Sequence, residues 1–219
     1  MRATSKLLAL ALTAALQPAV AGVVSLNFED NTAVGLIGSR YTNSLGVTFS
    51  GDAWGITSKF NNCRGSAQFL RPGSCGGLEL ALDPLSSGGL DDQSFTLDLT
   101  GGFITEFSFV YSARADADVQ IELFDGANGT GNVLQSLSNL TGANCTTAGV
   151  RFCNWNTSSI KFDGVALSLK VTGLDQSLML DDLQFITPAA GGKLPEPGSI
   201  ALAFGALGAL GWVRRRAAR

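Results

Sequence analysis

Short segments in which apolar and polar residues alternate fill the middle of this sequence, between about residues 22 and 187. The clearest are 95–99, 119–123 and 165–171, where every second residue is apolar. Because successive side chains of a strand point to opposite faces, this spacing predicts half-buried strands of an antiparallel sheet. Segments rich in Gly, Asn, Asp and Pro separate the strands, and no segment keeps a helical period. The sequence therefore predicts an all-β domain, an antiparallel β-sandwich of the jelly-roll type.

The start of the chain has the features of a secretory signal peptide. Two basic residues and a short apolar run precede the small residues Ala19 and Ala21. This order predicts cleavage between Ala21 and Gly22. The apolar run is too short to span a bilayer, so we expect residues 1–21 to form a signal helix that is removed on export.

A second apolar segment lies near the C-terminus, between a proline-containing motif and a basic cluster. The motif is Pro195-Glu196-Pro197, and no charged residue occurs from 198 to 213. These sixteen residues would span about 24 Å as a helix, against about 30 Å for a bilayer core, so we expect a short transmembrane helix. The basic residues that follow, Arg214, Arg215 and Arg216, would stay in the cytoplasm. The predicted organisation is a signal peptide (1–21), a β-sandwich (22–187), a tether with the motif (188–197), a transmembrane helix (198–213) and a basic tail (214–219).

These C-terminal elements resemble the PEP-CTERM sorting signal. The resemblance covers Leu194 to Arg219 and rests on the order of the Pro-Glu-Pro motif, the apolar helix and the arginine cluster. It implies processing by an exosortase of a Gram-negative bacterium after transient anchoring in the inner membrane. It also implies that the processed protein reaches the cell surface or the extracellular matrix, where exopolysaccharide is a possible partner.

Charge and composition exclude several functions for residues 22–197. The two predicted signals hold 6 of the 15 basic residues, which leaves 9 basic against 18 acidic residues and a net charge near −9. Such a segment lacks the basic surface that nucleic-acid binding requires. The chain has no histidine, which excludes a Ser-His-Asp triad, a Cys-His dyad and a histidine-ligated zinc ion.

Four cysteines lie within the predicted domain. An exported protein enters an oxidising compartment, so disulfides are expected, and four cysteines allow three pairings. We expect the local pairing, Cys63 with Cys75 and Cys145 with Cys153, because each bond would then close one polar loop rich in Gly or Asn. The alternative is a zinc ion bound by all four thiolates, but neither spacing resembles a zinc knuckle.

Three segments of the domain, at 27–30, 46–51 and 180–185, carry a second resemblance. They are similar to segments of exported jelly-roll domains of the galactose-binding-like and carbohydrate-binding-module group. The resemblance implies that the first and last strands lie together and that acidic residues near them hold a structural Ca²⁺ ion. Glu29 and Asp181 match those positions, with Asp30 and Asp182 as neighbours. Carboxylates are suitable calcium ligands, and the alternative is that these acids are solvated strand ends.

Three aromatic residues in polar surroundings are candidates for stacking on sugar rings: Tyr41, Trp54 and Trp155. Packing in the core is the alternative for each of them. Two functions remain open for the domain. The first is a non-catalytic surface or matrix protein that associates with exopolysaccharide and can bind sugar directly. The second is an extracellular carbohydrate-active enzyme that uses paired carboxylates. We expect the first, with no catalytic residues, because no carboxylate pair lies in a catalytic motif.

Overall fold

The computed structural model describes residues 21–66, 69–81, 92–114, 118–140, 142, 145 and 150–189. The sorting motif, the predicted transmembrane helix, the basic tail and the predicted signal peptide as far as residue 20 lie outside the described residues. Within the described ranges, no helix has the length and apolar character that crossing a membrane requires. The elements are β1 (Gly22–Leu26), β2 (Gly35–Leu36), α1 (Thr42–Leu45), β3 (Val47–Gly51), β4 (Ala53–Thr57), β5 (Gly76–Leu80), β6 (Asp92–Ala113), β7 (Gln120–Phe124), β8 (Val133–Ser138), β9 (Asn156–Leu174) and β10 (Leu178–Thr187).

The strands form two layers, and all the strand pairs are antiparallel. Sheet 1 has the order β3, first half of β6, second half of β9, β7, β8. Sheet 2 has the order β2, β4, β5, β10, second half of β6, first half of β9, and β1 pairs with the end of β10. The predicted antiparallel β-sandwich is confirmed, and the finer jelly-roll assignment stays a prediction.

The long strands β6 and β9 belong to both layers because they bend where they pass from one sheet to the other. Their pairing is interrupted between Asp98 and Phe103, where Gly101 and Gly102 have φ values of 84° and 74°. A Cβ atom on Gly102 would lie 2.7 Å from the carbonyl oxygen of Ala166. Only glycine allows the two strands to turn together at this close approach.

One apolar core fills the space between the sheets. Sheet 1 contributes the alternating residues that the sequence pattern indicates, among them Phe95, Leu97 and Ile121, all at most 2% exposed. Sheet 2 contributes a group of phenylalanines, in which the rings of Phe107 and Phe185 stack at 4.9 Å between centroids. Since residues of both layers belong to one buried cluster, the core holds the sandwich together by apolar burial.

The outer faces of the two sheets differ. On sheet 2 a second apolar cluster joins Ile56 and Met179 of the sheet to Phe69 and Phe152, which come from two loops. We call these loops the lid, defined as residues 58–66, 69–75 and 150–155. Their backbones contact each other where the Leu70 N–H donates to the Phe152 carbonyl oxygen at 2.8 Å. The lid therefore covers part of sheet 2, whereas the outer face of sheet 1 carries polar side chains.

Candidate functional site: the open face of sheet 1

The open face of sheet 1 presents rows of side chains that can donate and accept hydrogen bonds. One row crosses four strands in register and consists of Ser94, Thr172, Gln120 and Ser138. The next row consists of Ser50, Thr96, Lys170, Glu122 and Ser136. On β6, β7 and β9 the residues that alternate with them, among them Phe95, Ile121 and Val171, are buried in the core. The period of two along a strand therefore places these polar residues on the opposite surface.

A groove of about 490 Å³ lies at one end of this face. The groove lies along the first row, and Asp118 lies beside it. Hydroxyl, amide and carboxylate groups along one groove can exchange hydrogen bonds with the hydroxyls of a sugar chain. Asp118 is the one carboxylate among the described residues that line the groove, whereas glycoside hydrolysis usually needs two.

The predicted aromatic residues do not lie on this face. Tyr41 is 7% exposed and packs edge-to-face on Phe28, so its ring is part of the core and the prediction that it stacks on sugar is wrong. Its hydroxyl donates to Asp30 at 2.5 Å, and burial is the main reason that the pKa of Tyr41 is raised well above its ordinary value.

The two tryptophans lie at the margin of the second apolar cluster, on sheet 2. The indole N–H of Trp155 donates to the Leu70 carbonyl oxygen at 2.8 Å, and the Arg71 guanidinium lies 5.4 Å from its ring centroid. The Trp155 side chain therefore makes its contacts within the lid. Trp54 is half-buried and pairs across strands with Leu36, which is 60% exposed. Stacking of sugar on Trp54 stays a prediction.

Two disulfides involve cysteines of the lid. Cys63 is bonded to Cys75 and Cys145 to Cys153, in the local pairing that the sequence favours. Disulfides of this kind are typical of exported proteins, because the cytosol keeps thiols reduced. No free cysteine occurs among the residues described, so the alternative of a four-thiolate zinc ion does not apply to this structure.

The first and last strands lie together, as the resemblance implies, and β1 pairs with β10 from Leu26 opposite Leu183 to Gly22 opposite Thr187. Beside this junction, the Ser74 hydroxyl lies 2.8 Å from Glu29 Oε1 and 3.0 Å from Asp181 Oδ2. The predicted acids Glu29 and Asp181 are thus brought to one place. Asp181 is fully buried, and this burial raises its pKa to about 6 although Arg71 opposes the shift.

Sequence reasoning missed the buried acid Glu79 on β5. Its side chain is inaccessible to solvent, and its nearest cation is Arg151 of the lid, whose guanidinium nitrogen lies 3.5 Å away. Burial, with a smaller contribution from Asp175, raises the pKa of Glu79 to about 8. The available signal was a lone acid between Leu78 and Leu80 in an apolar strand.

Comparison with known proteins gives distant structural similarity. No protein-family model matches the chain, and no curated protein does. The K2 cleaved adhesin domain of Lys-gingipain has a TM-score of 0.48 and 15% identity, covering 76% of this chain and 100% of that domain. The family 11 carbohydrate-binding module of a Clostridium thermocellum cellulosomal cellulase has a TM-score of 0.39 and 12% identity, over 78% of this chain and 97% of that one. The CBM22-1 xylan-binding domain of Paenibacillus barcinonensis Xyn10C has a TM-score of 0.40 and 14% identity, over 80% and 100% of the respective chains.

Proposed function

We propose that this chain is an exported, non-catalytic surface protein whose β-sandwich binds polysaccharide along the open face of sheet 1. The observation that carries the proposal is the row of Ser94, Thr172, Gln120 and Ser138, which lines a groove across four strands. Neutral hydrogen-bonding groups at the regular spacing of a sheet match the repeated hydroxyls of a sugar chain. The two disulfides are consistent with a location outside the cytosol.

The proposed delivery route rests on the two ends of the sequence. A signal peptide would start export, and the C-terminal helix would hold the protein in the inner membrane until an exosortase acts near Pro195-Glu196-Pro197. The sandwich would then reach the surface or matrix and bind exopolysaccharide there. A net charge near −9 for residues 22–197 makes a neutral polysaccharide a better ligand than a polyanionic one.

Binding at this groove should be weak for a single site. Each hydrogen bond replaces one to water and contributes only about 0.5–1.5 kcal/mol, and none of the residues described in the groove lining is aromatic. Many copies on one surface would still retain a polymer, because linked sites act at a high effective concentration. A matrix component needs this kind of multivalent binding more than a tight single site.

The test compares two identical substitutions on one strand. Thr172→Val removes a hydroxyl from the groove, and Thr157→Val makes the same change on the part of β9 that belongs to sheet 2. We expect Thr172→Val to reduce retention of the full-length protein in affinity electrophoresis through neutral polysaccharides, and Thr157→Val to leave it unchanged. Equal retention of both variants and the unaltered protein would refute the assignment of the groove.

A reducing-sugar assay on the same polysaccharides tests the alternative function, a carbohydrate-active enzyme. We expect no release of reducing ends, because Asp118 has no second carboxylate beside it in the described lining. Release that is lost in Asp118→Asn would show that the groove is an active site.

A further inference from the structure

The acids that the resemblance assigns to Ca²⁺ face hydrogen-bond donors in this structure. Glu29 accepts from the backbone N–H groups of Cys75, at 3.0 and 3.1 Å, and Gly76, at 3.4 Å. Asp30 accepts from the Tyr41 hydroxyl at 2.5 Å. Calcium needs six to eight oxygen ligands directed at one point, whereas these oxygens are directed at N–H and O–H groups. In the ranges described, no three Cys, Asp or Glu side chains converge as a metal site would require.

A guanidinium group lies where the remaining two acids meet. Arg71 forms ion pairs through one nitrogen with Asp181 and through the other with Asp182. The Asp181 side chain is 1% exposed and that of Arg71 is 18% exposed, so the first ion pair lies largely out of solvent. A buried carboxylate needs a cationic partner, and the forked geometry of arginine allows it to bind two acids at once.

The position of Arg71 is fixed by its surroundings. It lies inside the ring closed by the Cys63–Cys75 disulfide, and its guanidinium stacks on Trp155. The Ser74 N–H donates to the Arg71 carbonyl oxygen at 3.1 Å, which forms a turn just before the second cysteine. The loop therefore holds the positively charged Arg71 guanidinium at a fixed position beside β10.

We propose that Arg71 takes the place of a structural calcium ion, pairing with Asp181 and Asp182 from within the Cys63–Cys75 loop so that the domain folds without a divalent cation. Its single charge balances that of the buried Asp181, whereas Asp182 is partly exposed to solvent. Glu29 accepts hydrogen bonds from backbone N–H donors. By closing the loop that contains Arg71, the disulfide also helps to hold the guanidinium beside the two acids.

Thermal unfolding of the full-length protein, with millimolar Ca²⁺ and with chelator, tests this proposal. We expect the Tm of the unaltered protein to be the same in both conditions. Arg71→Met should lower the Tm by about 10 °C in both conditions, since it leaves a buried carboxylate without its cation. The control is Arg64→Met, an exposed arginine in the same disulfide loop, which should leave the Tm unchanged.

A double variant tests the proposal even if Arg71→Met does not fold. Adding Asp181→Asn to Arg71→Met removes the uncompensated charge and should restore a cooperative transition in chelator. A calcium-dependent Tm in the unaltered protein would overturn the proposal. It would be overturned equally if Arg71→Met kept the Tm of the unaltered protein, or if Asp181→Asn failed to compensate.

Discussion

The buried acid Glu79 gives a prediction for how stability depends on pH. Its carboxyl is inaccessible to solvent, and burial raises its pKa from 4.5 to about 8 in the folded protein. Below pH 4.5 the group is protonated in both the folded and the unfolded chain. Between pH 4.5 and 8 the unfolded chain loses the proton and the folded protein keeps it. The free energy of unfolding should therefore fall as pH rises through this window.

The size of the loss follows from the shift in pKa. Each unit corresponds to about 1.4 kcal/mol, so a shift from 4.5 to about 8 amounts to at most about 5 kcal/mol. Arg151 opposes the shift and Asp175 adds to it, and both contributions are included in this value. Asp181, whose pKa is raised to about 6, adds a smaller loss in the same direction at lower pH.

Urea unfolding of the full-length protein at each pH from 5 to 9, followed by circular dichroism, measures this dependence. Glu79→Gln keeps the shape of the side chain and cannot ionise. We expect it to match the unaltered protein near pH 5 and to be more stable near pH 8. Glu106→Gln, which changes a half-buried acid on β6, serves as the control and should keep the slope of the unaltered protein. Parallel stability curves for Glu79→Gln and the unaltered protein would refute the reasoning.

Three further predictions concern the loops and the chain ends. Replacing Cys145 and Cys153 by serine should reduce the free energy of unfolding by about 2–3 kcal/mol, and non-reducing peptide mapping should recover this pair intact from the unaltered protein. Gly76→Ala would place a Cβ atom 1.9 Å from a backbone carbonyl oxygen and should cost about 2–3 kcal/mol in urea unfolding, whereas Gly35→Ala meets nothing within 4 Å and should cost little. Mass spectrometry of the protein released by its native host should find no peptide beyond Pro197, and recovery of the intact C-terminal segment from that pool would contradict exosortase processing.

The sheet architecture was predictable because its signal is local. Phe95, Leu97 and Leu99 alternate with polar residues, so they lie on one face of their strand whichever strand pairs with it. All three are buried in the structure. The turn at 125–129 was equally visible, since Asp, Asn and Gly occur where β7 and β8 must reverse. The sequence also implied that β1 and β10 lie side by side, through the resemblance carried by their acidic ends.

The partners of the site residues were not predictable, because they come from distant parts of the chain. Arg71 meets Asp181 across 110 positions, and no pattern in either segment points to the other. The exposure of Tyr41 was predicted wrongly for a related reason. Polar neighbours in the sequence suggested exposure, but its ring is covered by Phe28, which lies 13 positions earlier. The groove on sheet 1 combines four strands, so its residues become a group only after pairing.

The position of β10 determines how the domain would bear mechanical load. If the predicted tether after Thr187 is pulled while the sandwich holds a polymer, tension enters at the C-terminal end of β10. There β10 is hydrogen-bonded to β1 on one side and to β6 on the other. Sliding a strand out from between two neighbours breaks many bonds at once, whereas peeling an edge strand breaks them one by one. The end of β10 would therefore be the last part of sheet 2 to separate under such a load.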